Sequence, residues 1–312
     1  MRILVTGAKG FVGRHLAREL VRSGHTPLLL DLEPAKAPAD GPIYVCDLRN
    51  ASSLKTLIGE IKPDACIHLG GIAFVPLGWS DPELVFSVNV GGTVNLLESF
   101  RAACPTARIL VVTSAEVYGR SPSATPFTEE TPMMPSNLYA VSKMAADLTV
   151  LLYARRYAMP VMTARPENHI GPQQSPRFVT TAFAGQAIRI ARGEAEPVMR
   201  VGNLDSERDF TDVRDVARAY RLLIERGRPG EAYNIASGQP VRIRVVLDEL
   251  CRIAGIKPEI KVDPTLFRPT DNSPSVDSSK IRLEVGWKTE IPLSETLRDI
   301  YLDMTQRPAA AT

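Results

Sequence analysis

The chain opens on an apolar run, Met1-Arg2-Ile3-Leu4-Val5-Thr6, that passes directly into Gly7-Ala8-Lys9-Gly10-Phe11-Val12-Gly13. No other feature narrows the fold as much. The run reads as a short buried strand, and its glycines let the backbone turn tightly and approach a pyrophosphate closely. A helix follows from about Val12 to Ser23 and offers its N-terminal amides to negative charge. A second apolar strand, Pro27 to Leu30, then delivers Asp31, 24 residues after Gly7, where a carboxylate can accept hydrogen bonds from an adenosine ribose. A glycine-rich turn alone would equally suit tight strand–helix packing. Strand, turn, helix, strand and acid in this order favour dinucleotide binding.

Apolar segments then recur with helical stretches between them: Ile43 to Cys46, Ala65 to Leu69, Ile109 to Ser114, Val161 to Arg165, and Ala232 to Ala236. This spacing predicts right-handed crossovers and an α/β, doubly wound parallel sheet of Rossmann type. Ligands bind such sheets beyond the carboxyl ends of the strands. Gly7, Asp31, Asp47, the Gly70-Gly71 pair and Ser114 all fall there. From about Glu167 to Asp212, and again from Val241 onward, prolines and arginines interrupt the alternation. The reading is a dinucleotide-binding domain of residues 1–166 and 212–240, capped by a smaller, discontinuous α/β substrate domain of residues 167–211 and 241–312.

Composition limits the partners. With 312 residues, 44% of them hydrophobic, and a formal net charge of +2, the chain can fill a core but carries no basic surplus for a nucleic acid. Cys46, Cys66, Cys104 and Cys251 are scattered without a CxxC pair, which suggests free thiols in a reducing compartment. Neither a signal peptide nor a membrane span is expected, so the predicted location is cytoplasmic. His15, His25, His68 and His169 show no ligand spacing, and no metal is expected.

Tyr139 and Lys143 stand one helical turn apart after a strand ending in Thr113-Ser114, so phenol and ammonium share a face. A nearby cation stabilises phenolate, and the expectation is that Lys143 lowers the Tyr139 pKa toward working pH. On the same stretch Met144, Leu148, Leu151 and Leu152, with Val94, Leu97 and Phe100 on the preceding helix, suit either half of a symmetric four-helix homodimer contact or packing on the sheet.

These motifs together resemble the extended short-chain dehydrogenase/reductase family, the group that modifies nucleotide-linked sugars. The resemblance spans nearly the whole chain: the glycine turn, Cys46-Asp47-Leu48, His68-Leu69-Gly70-Gly71, Asn89-Val90-Gly91-Gly92-Thr93, Thr113 to Gly119, Tyr139-Ala140-Val141-Ser142-Lys143, and Gly286-Trp287. It implies Ser114, Tyr139 and Lys143 as the catalytic set, with Glu116 as a further acid–base candidate. It also implies Asp47 and Leu48 beside adenine, and Gly70 and Pro166 on the nicotinamide side. The cofactor set becomes Gly7, Gly10, Phe11, Val12, Asp31, Asp47, Leu48, Leu69, Gly70, Gly71, Tyr139, Lys143 and Pro166, for NAD(H) in preference to NADP(H).

Three stretches, Arg165 to Pro172, Val201 to Val213, and Arg268-Pro269-Thr270-Asp271, resemble the branch that acts on GDP-linked deoxyhexoses. The implied substrate set is Asn168, Val179, Arg208, Arg268 and Asp271. Arg208 and Arg268 could clamp a pyrophosphate, and Asp271 could accept the paired N–H donors of guanine. Arg208 could instead pair with Asp209 or Asp212. The branch usually carries an apolar aromatic where this chain has Glu167.

Dehydration of a sugar needs an acid to expel the 6-hydroxyl and a base to take the C5 proton. Glu116 could be the base, but Ala115 replaces the acidic or hydroxyl neighbour found in dehydratases. Reduction of a 4-keto carbon asks for less, so a GDP-4-keto-6-deoxyhexose reductase is the first expectation. A 4,6-dehydratase or 4-epimerase is the alternative, and a non-enzymatic dinucleotide sensor is a distant one.

Overall fold

The computed structural model describes residues 1–34, 40–119, 125–266 and 275–307. Its strands are β1 (Arg2–Thr6), β2 (Thr26–Asp31), β3 (Ile43–Val45), β4 (Ala65–His68), β5 (Arg108–Val112), β6 (Val161–Pro166), β7 (Asn168–Ile170), β8 (Val198–Val201), β9 (Glu207–Asp212), β10 (Ala232–Ile235), β11 (Pro240–Arg242) and β12 (Glu259–Val262). The α-helices are α1 (Phe11–Arg22), α2 (Ala51–Ile61), α3 (Leu77–Ser80), α4 (Pro82–Phe86), α5 (Gly92–Ala103), α6 (Leu138–Tyr157), α7 (Val179–Ala191), α8 (Val213–Arg226), α9 (Ile243–Ala254), α10 (Ser279–Val285) and α11 (Leu293–Gln306).

Seven strands form one parallel sheet in the order β10-β6-β5-β4-β1-β2-β3. Every residue of β4, β6 and β10 is buried, so these segments read as mostly apolar rather than alternating, and their polar members His68, Thr163, Arg165 and Asn234 are buried with the rest. Side chains alternate between faces along β1. Ile3 and Val5 pack with Leu16 and Leu20 of α1 and with Tyr220 and Leu223 of α8. Leu4 packs on the opposite face with Leu54 of α2, Leu97 and Phe100 of α5, and Val150 of α6. The sheet is thus covered on both sides, and the strand order reverses between β1 and β4, where a crevice opens.

A second cluster gathers Phe183 of α7, Met199 of β8, Val246 and Leu250 of α9, and Leu297 of α11. It supports two small sheets, β11-β9-β7 and β12-β8, set past the carboxyl ends of the large one. Residues 241–312 do not all join this cluster. Ile281 and Val285 of α10, with Trp287, pack into the larger sheet's core, and the Trp287 indole donates to the Asp215 carbonyl at 2.9 Å.

The two readings of the α5 and α6 apolar positions separate here. Leu97 and Phe100 are fully buried against the sheet, whereas Leu148 and Leu152 are exposed on α6. Among the described residues no helix is long and apolar enough to cross a membrane.

Candidate active site

One cavity of about 1400 Å³ runs along the carboxyl edge of the large sheet and under the smaller cluster. Of the residues implicated by sequence, Gly7, Gly10, Phe11, Val12, Asp31, Asp47, Leu48, Leu69, Gly70, Gly71, Ser114, Glu116, Tyr139, Lys143, Pro166, Asn168, Val179 and Arg208 all line it. Arg268 and Asp271 lie outside the described residues.

The turn after β1 is built around backbone proximity. Gly7 has φ +66°, a conformation that L side chains rarely adopt, and a Cβ there would sit 3.0 Å from the Gly70 nitrogen. A Cβ on Gly13 would approach the Gly7 carbonyl oxygen to 2.5 Å, so α1 can start this close to the strand only with glycine. No side chain caps α1 at Gly10, and its first turn holds no acidic residue. Its free amides and positive dipole end therefore suit a phosphate. Asp31 accepts the Lys9 backbone N–H through Oδ2 and the Leu32 N–H through Oδ1, each at 2.8 Å, which fixes the carboxylate at the end of β2. The Lys9 ammonium lies 3.2 Å from Glu33. Asp47 is gripped by Arg49, with the closest contact 2.6 Å, and this holds its carboxyl below the usual range. The cradle fits a dinucleotide: glycines where a Cβ would collide, unfilled amides at a helix start, and an anchored carboxylate at the end of β2.

Farther along, Ser114 ends the extension of β5 and its Oγ accepts the Glu116 N–H at 3.2 Å, capping a 3₁₀ turn over Ala115–Tyr118. Asn137 caps α6 by accepting the Ala140 N–H at 2.8 Å, and its amide donates to Glu116 at 2.9 Å. One residue thereby locks the start of α6 to the turn after β5, which places Tyr139 against Ser114. Ser114 and Tyr139 both line the cavity, and the Ser114 hydroxyl is near enough to the phenol to act on its pKa.

Lys143 does not lower the Tyr139 pKa in this fold. Burial raises the phenol above its ordinary value, the Glu116 carboxylate adds to the rise, and the Ser114 hydroxyl opposes it. The Lys143 ammonium instead donates to the Val112 carbonyl at 3.1 Å, and burial brings it down to about 8. Tyr139 therefore stays protonated at neutral pH, as a donor.

Residues that sequence reasoning did not assign to the site hold it in place. Arg165 of β6 pairs with Asp147 of α6 at 2.8 Å, both buried, and Asp147 also accepts from Thr113 Oγ1 at 2.9 Å. Arg165 further donates to the Tyr118 hydroxyl at 2.9 Å. Asn89, in a π-helical turn over Ser87–Gly91, accepts the Ile72 N–H at 2.8 Å and donates to Ser142 Oγ at 2.9 Å. That bond ties the loop after β4 to the helix of Tyr139. His68 is held between Thr6 Oγ1 (2.7 Å) and Thr93 Oγ1 (3.2 Å), and burial with the nearby Lys143 lowers its pKa to about 3, leaving the ring neutral. Asn89 and His68 stand in motifs visible in the sequence, but only the fold shows what they join. Arg165 opens one of the stretches singled out in the sequence, but its pairing was not visible there, and Asp147 carried no local signal.

On the substrate side, Arg208 donates to the Glu207 carbonyl at 2.8 Å. Asp209 is engaged by the Ser237 and Gly238 amides at 2.9 and 2.7 Å, and Asp212 by Arg214 at 2.8 Å. Asn168 donates to its neighbour Glu167 at 2.9 Å. Phe11 stacks on His169 with centroids 6.1 Å apart, joining the start of α1 to β7.

Residues 4–300 match the family model described as GDP-mannose 4,6 dehydratase. The chain belongs to this family. It is thereby an extended short-chain dehydrogenase/reductase. Over 309 residues it is 38% identical to GDP-6-deoxy-D-mannose reductase of Pseudomonas aeruginosa, with 98% of each chain covered. The structure of RMD from Pseudomonas aeruginosa complexed with NADPH superposes with a TM-score of 0.85 at 36% identity, over 98% of this chain and 99% of the other. UDP-glucose 4-epimerase of Thermus thermophilus, solved with NAD, gives a TM-score of 0.86 at 28% identity, again over 98% and 99% of the two chains. Reductases, dehydratases and epimerases of nucleotide sugars thus share this framework, and the choice among them rests on the site.

Proposed function

We propose that this protein reduces the 4-keto group of a GDP-linked 4-keto-6-deoxyhexose with a nicotinamide dinucleotide. The observation that carries the reading is a buried, protonated Tyr139 that lines the cavity together with Ser114 and the methyl group of Ala115. When bound, the cofactor supplies hydride to the carbonyl carbon. Ser114 holds the carbonyl oxygen and Tyr139 gives its proton to the forming alkoxide, a transfer that favours a phenol kept protonated. Lys143 binds the nicotinamide ribose and carries positive charge toward the phenolate that results. Dehydration would need a second proton donor for the 6-hydroxyl, and Ala115 offers none. Glu116 is then an acceptor for the sugar rather than a base at C5. Similarity to the Pseudomonas aeruginosa reductase supports the same choice.

The substrate set is Asn168, Val179 and Arg208 within the described cavity, with Arg268 and Asp271 assigned to pyrophosphate and guanine on the family pattern. Asp31 favours NADH: its fixed carboxylate accepts from a 2′-hydroxyl and repels a 2′-phosphate. NADPH in the Pseudomonas aeruginosa structure and the Lys9 ammonium, paired with Glu33 just past the end of β2, favour the phosphorylated cofactor as a second reading. Comparing kcat/KM for NADH and NADPH decides between them. The NADH reading requires the higher value for NADH, and Asp31→Asn should narrow the gap. The exposed Leu148 and Leu152 of α6 support a homodimer through this helix, and the free thiols suit a reducing cytoplasm.

The reaction is tested by mixing the protein with NADH or NADPH and a GDP-4-keto-6-deoxyhexose. The proposal expects loss of the reduced-nicotinamide absorbance and a product hydroxylated at C4. Release of water from GDP-mannose, without reduction of the keto sugar, would replace it with a dehydratase.

A further inference from the structure

A carboxyl group that folding does not use stands in the cavity wall. Glu167 follows Pro166 at the end of β6, where its backbone N–H donates to the Ile235 carbonyl at 2.9 Å and extends the ladder to β10. Its side chain accepts only from the adjacent Asn168 among the described residues. The Asn168 amide lies at 2.9 Å and the backbone N–H at 3.3 Å, both on Oε2; no described residue donates to Oε1, and Glu167 lines the cavity. Burial pushes this carboxyl up to about 8. Asp209 of β9 and Glu116 of the turn after β5 add to the rise, while the Asn168 N–H and Arg208 of β9 oppose it. His169 of β7 faces the Glu167 carbonyl through Nδ1 at 3.2 Å, and burial lowers its own pKa, leaving that ring neutral. An apolar side chain of the same size would suit the position better if packing were its only task.

Its neighbours fix what it meets. Arg208 and Glu116, the latter joined through Asn137 to the start of α6, both lie near enough to act on its charge, and all three line the cavity. If Arg208 marks the phosphate end and Ser114 with Tyr139 the reacting end, as proposed above, the pyranose ring lies in the part of the cavity that Glu167 lines, since Glu167 is near both Arg208 and Glu116. We infer that Glu167 is a specificity-determining residue that hydrogen-bonds a ring hydroxyl of the hexose, so that the site selects a pyranose carrying that hydroxyl over one without it. A neutral carboxyl donates through O–H and accepts through its other oxygen, which matches the two-way chemistry of a hydroxyl. Glutamine reproduces both roles. Methionine keeps the bulk and loses both.

The test measures the affinities of GDP and GDP-mannose for the full chain by calorimetry with NADPH present, and takes their ratio as the contribution of the sugar. Glu167→Met should cut that ratio by about tenfold while GDP affinity stays within about twofold, and Glu167→Gln should return it to within about threefold of wild type. In the wild type the ratio should fall as pH rises through about 8. In Glu167→Gln this fall should vanish, a change that a packing role would not produce. An unaltered ratio in Glu167→Met overturns the inference. Should GDP fail to bind, the guanine assignment falls, and UDP with UDP-glucose give the ratio that decides the role of Glu167 in the same way.

Discussion

At the level of single residues, Tyr139 separates what sequence shows from what the fold adds. Its spacing to Lys143 and its place after Ser114 were legible because one helical turn brings them together whatever the surroundings. Its protonation was not, because burial outweighs the cation that spacing alone suggests, and burial is a property of the whole fold. Tyr139→Phe keeps the ring and removes the donor. Turnover should fall by about 10² to 10⁴ while cofactor affinity, read by fluorescence titration, stays nearly unchanged. Glu167 offers a separate, pH-linked readout. Its pKa near 8 in the fold exceeds the ordinary value of 4.5, so the folded protein holds a proton there that the unfolded chain releases. Stability supplied by that proton is complete below about 4.5 and is lost as pH rises to about 8. Glu167→Gln has no such loss, so its Tm should match wild type near pH 4 and exceed it near pH 8.

Among the elements, the strands were readable because strands buried on both faces are mostly apolar runs rather than alternating ones, and the glycine turn because backbone crowding admits little else. The Asp147–Arg165 pair was invisible, since its partners lie 18 residues apart on different elements and nothing in the sequence links Asp147 to the stretch that Arg165 opens. It holds α6, and therefore Tyr139 and Lys143, against β5 and β6. Arg165→Met leaves Asp147 charged and unpaired in the interior, which should cost about 3 to 5 kcal/mol in denaturant unfolding. The double variant Arg165→Met, Asp147→Leu should recover much of that loss. Full additivity of the two single changes would mean that the pair is not coupled. The same logic separates α5 from α6. Apolar residues on both looked equivalent in sequence, yet Leu97 and Phe100 serve the core and Leu148 and Leu152 face outward.

At the scale of the molecule, the cleft lies between the carboxyl edge of a seven-stranded sheet and the smaller cluster of α7, α9 and α11. The residues that the sequence placed beyond the strand ends do line its sheet side. Its far side was less legible, because Arg208 and Asn168 arrive on short strands whose pairing depends on segments distant in the chain, and α10 returns to the larger core against the simple two-part reading. If α6 forms the proposed homodimer, Leu148→Glu with Leu152→Glu should halve the mass measured by sedimentation, whereas an unchanged mass would place the contact elsewhere or remove it. The central claim is the reaction itself. Supplied with reduced nicotinamide dinucleotide and a GDP-4-keto-6-deoxyhexose, the wild-type protein should consume the two in equal amounts and yield a C4 alcohol, and Tyr139→Phe should do so at least about a hundredfold more slowly. No oxidation of the cofactor by this keto sugar, under conditions where the protein binds both, would contradict the account.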